Sequence, residues 1–449
     1  MKLIYNVKDK PKFGRLVVFA IQQMLAILAA TIAVPAIVGN GMTAAAAMFG
    51  AGVGTIVYLL FTKFRSPVFL GSSFAFIGSM SAAFGGALSM QAGYAGLIIG
   101  ATFAGLVYVV IALIVKVAGV KWIDKLMPPV VIGPTVAIIG LSLAGNAISD
   151  AATNGGSEVT SPYVSLICAL VTFFVVVLCS TYGKKMVKLI PFILGILAGY
   201  ATALIFTLIG NAAGIDALKV IDFAPFAAMV DGGVGLHTFF ALPEFTFVTA
   251  LEGLKDIDGT FIATVAVAYV PVAFVVFAEH IADHKNLSSV IEHELLEDPG
   301  LHRTLLGDGV GSIAGALFGG CPNTTYGESV ACVAITGNAS VSTIFAAAIG
   351  TMIASFFSPL VAFIDSIPSC VMGGVCITLY GFIAVSGLKM IQKVDLEENH
   401  NLFVVSAILI AGIGGLTVTF GKVTLTSVAC ALILGIVTNL VLGGKKKSK

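Results

Sequence analysis

Charge is what this chain has little of. Of its 449 residues, 10% are Asp, Glu, Lys or Arg and 58% are hydrophobic. A soluble globular protein carries about 25% charged residues. The chain cannot cover itself with charge, which excludes water as its main solvent and leaves a polytopic membrane protein with the lipid bilayer as partner. A formal net charge of +1 says little, because the placement of charge matters more than the sum; no nucleic-acid partner is expected. Metal-ligand patterns are missing too: the six His and the acids show no spacing such as HExxH. The seven Cys include no CxxC pair and sit mostly in apolar runs, so they read as small packing residues. "GDGVGSIAG" (307–315) is glycine-rich but leads into an apolar run, which argues against a nucleotide-binding loop. The apolar run from Leu16 to Val38 is too long for a signal-peptide core, so no cleavage is expected.

Long apolar runs are what the chain has instead. At helix length they fall near 14–38, 44–62, 92–115, 128–148, 162–181, 187–212, 259–283, 305–319, 340–364, 369–388, 401–421 and 424–443. Two more segments, 67–85 and 319–336, are apolar but short and interrupted, and counting them gives fourteen. All but three of the 24 Lys and Arg cluster at 2–15, 63–65, 116–125, 184–188, 285–303, 389–393 and 445–449. With fourteen spans these clusters share one side, and Lys219, Lys255 and Lys422 lie on the other. Positive charge marks the cytoplasmic side. Both termini are therefore expected in the cytoplasm, with the loops 149–161 and 213–258 outside.

A weak internal repeat accompanies the count. "PPVVIGPTVAIIG" from Pro128 and "PSCVMGGVCITLYG" from Pro368 share Pro, Val and Gly at matching places, each a similar distance after an interrupted segment. Seven spans is an odd number, so the second half would be inverted. Short Gly/Pro-interrupted segments at matching places in two halves point to a transporter binding site. Backbone at membrane depth must be satisfied within protein or beside a cavity. "FLGSS" and "PNTTY" are predicted to be two short strands that pair, with half-helices starting near Phe74 and Gly327. Their free N–H groups would then face the midplane.

Few acids lie deep in the runs; the clear ones are Glu279 and Glu328, with His280, Asp283 and His284 following Glu279. A carboxylate at the bilayer centre costs roughly 3 kcal/mol or more. Each acid either braces a neighbouring helix or serves a substrate or proton. No Lys or Arg lies in the Glu279 run to pair with it. Carboxylates beside free N–H groups suit a small neutral ring with alternating C=O and N–H, and would repel an anion. Phe74, Tyr326 and Tyr380 can stack on a planar ligand or simply pack.

At these residues the chain resembles the nucleobase/ascorbate transporter family, and within it the bacterial uracil permeases. The resemblance spans nearly the whole chain through "LGSSFAF" (70–76), "AEH" (278–280), "DPGLHR" (298–303), "PNTTYGE" (322–328) and "MGGV…LYG" (372–381). It implies seven spans plus an inverted seven. The core domain would comprise 14–126 and 259–364 (spans 1–4 and 8–11). The gate domain would comprise 127–212 and 365–443 (spans 5–7 and 12–14), with 213–258 as an external loop. By position it implies that Glu279 and Glu328 are substrate-binding acids and that Gly327 and Phe74 offer backbone groups to the base. Tyr326 and Tyr380 would be nearby contacts, and Ala30 a close small-residue contact. It also implies a cell-membrane importer of a nucleobase with a proton, uracil foremost, with no other cofactor and not an enzyme; a homodimer is compatible with the family. A purine or a small anion is the alternative cargo. Three places depart from the family pattern. Gln22-Gln23 stands where Gln-His is expected, and Ser329 and Ala331 stand where Asn and Gly are usual. Asp283 stands four residues after Glu279, where a His can assist proton coupling; Asp283 or His284 could take that part, or Asp283 could be simply a residue at the cytoplasmic end of the span.

Overall fold

A computed structural model describes residues 3–119, 128–420 and 423–443. The basic residues at 121–125 and 445–449, together with Lys2, Lys422 and the expected core–gate boundary at 126/127, lie outside them. Among the described residues eight helices are long and apolar enough to cross a membrane, among them Phe13–Val38, Met90–Ala118, Gly259–Ile291 and Ser369–Ile391. Five shorter apolar helices join them, including Phe74–Gly85 and Gly327–Thr336. Apolar side chains such as Phe174, Leu178, Ile205 and Leu208 are exposed on the outer helices. This is a multi-pass membrane protein, with lipid in place of water against those faces.

The two interrupted segments form the pair of short strands that the sequence suggests. Leu70–Ser72 (β1) and Asn323–Thr325 (β2) pair antiparallel, with Leu70 opposite Thr325 and Ser72 opposite Asn323. The ladder continues where Ser73 N–H donates to Pro322 O at 2.9 Å. Beyond β1 a single 3-10 turn, Phe74–Phe76, opens the helix Ile77–Gly85; beyond β2 the helix Gly327–Thr336 begins at once. At the outer edge of β1, Leu70 exchanges two bonds with Thr55 Oγ1, so its backbone groups are satisfied within protein.

Small residues bring the surrounding helices close. A Cβ on Gly54 of Ala44–Phe61 would sit 2.7 Å from the carbonyl of Gly311 in Leu301–Gly319, and a Cβ on Gly311 would sit equally close to the Gly54 carbonyl. Only glycine at both places allows this approach, the usual device by which membrane helices pack. The repeat signature also has a structural counterpart. Pro128 and Pro368 each cap a helix, Pro129–Ser142 and Ser369–Ile391, and these two helices pack on each other.

Several boundaries differ from the sequence reading. The run 340–364 is two helices, Val341–Ala354 and Ser358–Asp365, with Pro359 in the first turn of the second. The run 401–421 stops as helix at Ile413, before Gly414 and Gly415. Val418–Phe420 (β3) then pairs with Val423–Leu425 (β4). The expectation of two strands becomes four, because the β-branched runs Thr417, Val418, Thr419 and Val423, Thr424 favour strand over helix there. The run 259–283 continues as helix to Ile291. The loop 213–258 carries short helices at Ala224–Met229, Leu236–Phe239 and Thr246–Gly253.

A candidate substrate pocket beside the crossed strands

A cavity of about 460 Å³ lies where the strand ends meet the Gly259–Ile291 helix. Ser73 and Phe74 from the first interruption, and Thr325, Tyr326, Gly327 and Glu328 from the second, form one wall. Glu279 and Asp283, one helical turn apart, form the next. Val136, Ile139, Leu379 and Phe382 close the opposite side with apolar surface. Lys188 also borders this cavity.

The strand side is held firmly. Tyr326 Oη donates to the Ser72 carbonyl at 2.7 Å, tying one strand end to the other. Ser329 Oγ accepts from Gln23 Nε2 at 2.6 Å and from Phe69 N–H at 3.0 Å. Two of the residues that depart from the family pattern, Gln23 and Ser329, thus bond each other. Gly327 opens its helix toward the cavity: a Cβ there would meet only Asp283 Oδ1, at 3.9 Å. The first turn of a helix leaves N–H groups without intrahelical partners; the first intrahelical bonds here are those of Ser329 and Val330 to the Tyr326 carbonyl. Asp283 Oδ2 accepts from Thr325 Oγ1 at 2.9 Å, so the helix and β2 are joined at the cavity wall.

Of the residues picked out from sequence, Glu279, Asp283, Glu328, Phe74, Tyr326 and Gly327 come together on this cavity. Two do not reach it. Ala30 is buried in a cluster with Leu70 and Tyr326, and Ala26, one turn earlier, lines the cavity instead. Tyr380 packs edge-on against Phe74, with ring centroids 6.0 Å apart, while Leu379 and Ile383 of its helix line the wall. His284 faces away: its Nδ1–H donates to the His280 carbonyl at 2.8 Å, and Nε2 lies 2.7 Å from Tyr58 Oη.

Behind Glu279 lies a buried network that sequence reasoning missed. His280 Nδ1 is 2.6 Å from Asp308 Oδ2 and His280 Nε2 is 2.9 Å from Thr304 Oγ1. The rings of His280 and His284 stack at 4.0 Å. Asp308 sits in the glycine-rich "GDGVG", and its signal was that of any acid inside a membrane span.

The match to known proteins now has a geometry to attach to. A family model described as a permease family covers residues 14–421. The chain belongs to this permease family, the nucleobase/ascorbate transporters. The uracil permease of Bacillus caldolyticus is 37% identical over 100% of this chain and 96% of its own length. The uracil permease of Bacillus subtilis (strain 168) is 37% identical over 100% and 97%. That of Escherichia coli (strain K12) is 33% identical over 97% and 93%. Two solved structures share the fold at low identity. The transmembrane domain of the cyanobacterial bicarbonate transporter BicA gives a TM-score of 0.64 at 14% identity, covering 97% of this chain and 100% of that one. The murine Slc26a9 anion transporter in its inward-facing state gives 0.63 at 11%, covering 98% and 70%. Like its relatives this chain is a permease and not an enzyme, on a membrane transporter fold.

Proposed function

We propose that the chain imports a nucleobase, uracil foremost, together with a proton, by alternating access across the cell membrane. What carries this reading is one cavity that joins three carboxylates, an open helix start and an aromatic ring, in a chain 37% identical end to end to uracil permeases. Uracil alternates N–H and C=O around a flat ring. Glu279 and Glu328 accept from its N–H groups, and the Gly327 end of the half-helix donates to a carbonyl. Phe74 lies against the ring, held by Tyr380, while Tyr326 and Ala30 keep the strand end in place. Glu279 and Asp283, adjoining on one helix face, take up the coupling proton; no other cofactor is needed.

In this reading the chain has fourteen spans, seven plus an inverted seven, with both termini in the cytoplasm. The core of spans 1–4 and 8–11 rocks against the gate of spans 5–7 and 12–14, and two copies pair in the bilayer. The competing cargo is a purine or an anion, and acids on the cavity wall oppose the latter. Equilibrium binding of labelled uracil to the purified chain, competed with xanthine and with sulfate, separates the three. Displacement by unlabelled uracil alone is expected; displacement by sulfate or a preference for xanthine would overturn the assignment.

A further inference from the structure

Behind β2 lies a second and much smaller cavity, of about 10 Å³. Its wall includes Tyr108 of Met90–Ala118, Asp308 and Ser312 of Leu301–Gly319, and Asn323 and Thr324 of β2. Three polar atoms of these side chains have no protein partner: Tyr108 Oη, Asp308 Oδ1 and Asn323 Oδ1. The three residues are 4%, 1% and 1% exposed. Buried polar atoms are nearly always paired, so three on one small wall point to a ligand.

The remaining atoms of these side chains are committed. Asn323 Nδ2 donates to the Gly50 carbonyl at 2.9 Å, which leaves its oxygen as the free end. Asp308 Oδ2 is held by His280. What is left is one O–H donor, on Tyr108, and two acceptor oxygens. A water molecule has the complementary set, a lone pair for the hydroxyl and two O–H groups for the oxygens.

We propose that this cavity binds a single water, which accepts from Tyr108 and donates to Asp308 Oδ1 and Asn323 Oδ1. The volume matches one water. A bare monovalent cation of similar size would suit the oxygens but would leave the Tyr108 proton without an acceptor. Nor is a counter-ion required. Thr304 Oγ1 donates to the Leu301 carbonyl at 3.1 Å, so it accepts from His280 Nε2–H. A single proton between His280 Nδ1 and Asp308 Oδ2 then makes the pair neutral. The water joins the Met90–Ala118 helix, the Leu301–Gly319 helix and β2 at one point. Thr324, which follows Asn323, borders both this cavity and the large one. The water is thus a positioning group for the strand that leads to Tyr326, Gly327 and Glu328, whatever the transported molecule is.

The direct test is a structure of the full chain at a resolution that shows waters, once in sodium and once in choline buffer. One density peak about 2.6–3.2 Å from all three atoms, the same in both, is expected. A peak about 2.4 Å from the oxygens, as for a hard cation, that disappears without sodium would replace water by a cation. No peak in either would overturn the site. The melting temperature of the unmodified chain gives a second reading. It should be indifferent to the exchange of sodium for choline, and a rise with sodium concentration contradicts the water. A double-mutant cycle of Tyr108→Phe and Asn323→Ala, read by melting temperature, should be non-additive because the two share the water. Additive shifts would sink the bridge.

Discussion

Two faces of one helix behave in opposite ways. On Gly259–Ile291, Glu279 and Asp283 line the large cavity, while their sequence neighbours His280 and His284 turn into protein and find fixed partners. A step of one residue turns the helix by about 100°, and that turn separates a wall that meets a ligand from a network that holds the wall still. The cavity face should carry binding, and the histidine face stability.

The largest effect expected is on the histidine face. His280→Ala leaves Asp308 buried without its partner and should cost about 3–5 kcal/mol of stability, read as a large fall in melting temperature, with uracil binding retained by the folded fraction. Loss of binding without loss of stability would erase the distinction between the faces. On the other face, Glu279→Gln and Glu328→Gln should each weaken uracil binding by about 1.5–3 kcal/mol, tenfold or more in Kd, with the melting temperature unchanged or raised. Unaltered affinity in both would remove the acids from the site. Tyr326→Phe leaves the Ser72 carbonyl without its donor and should cost about 1 kcal/mol in stability, measured by the same melt.

The smallest effect lies far from both faces. Arg65 Nη1 meets Asp298 Oδ1 at 2.5 Å, half exposed. The hydrogen bond from Arg65 holds the Asp298 carboxyl below its ordinary value. A lowered folded-state pKa stabilises above the unfolded value and is lost as pH falls through the folded one, so Asp298→Asn should matter only above roughly pH 4. Even there solvent screening limits it to less than about 1 kcal/mol. A pH series of melts on Asp298→Asn and the unmodified chain checks the sign.

Legibility from sequence followed the same physical lines. "FLGSS" and "PNTTY" stood out because extended backbone amid apolar helices needs a partner, and each supplies the other's. Glu279 and Glu328 stood out because charge is rare in this chain. Asp308 was hidden by its glycines, whose packing against Gly54 and Gly105 explains them without any nucleotide. Ala26 against Ala30, and Leu379 against Tyr380, are choices of depth and rotation along a helix that a hydrophobic run does not encode. The break at 355–357 and the β3–β4 hairpin fell inside runs whose apolar count alone reads as a single span.

Uptake of labelled uracil into vesicles carrying the purified chain, across an imposed pH gradient, bears most directly on the account. Accumulation that follows the gradient, collapses with an uncoupler and is absent in Glu279→Gln is predicted. Uptake indifferent to the uncoupler, or undiminished in Glu279→Gln, would contradict it.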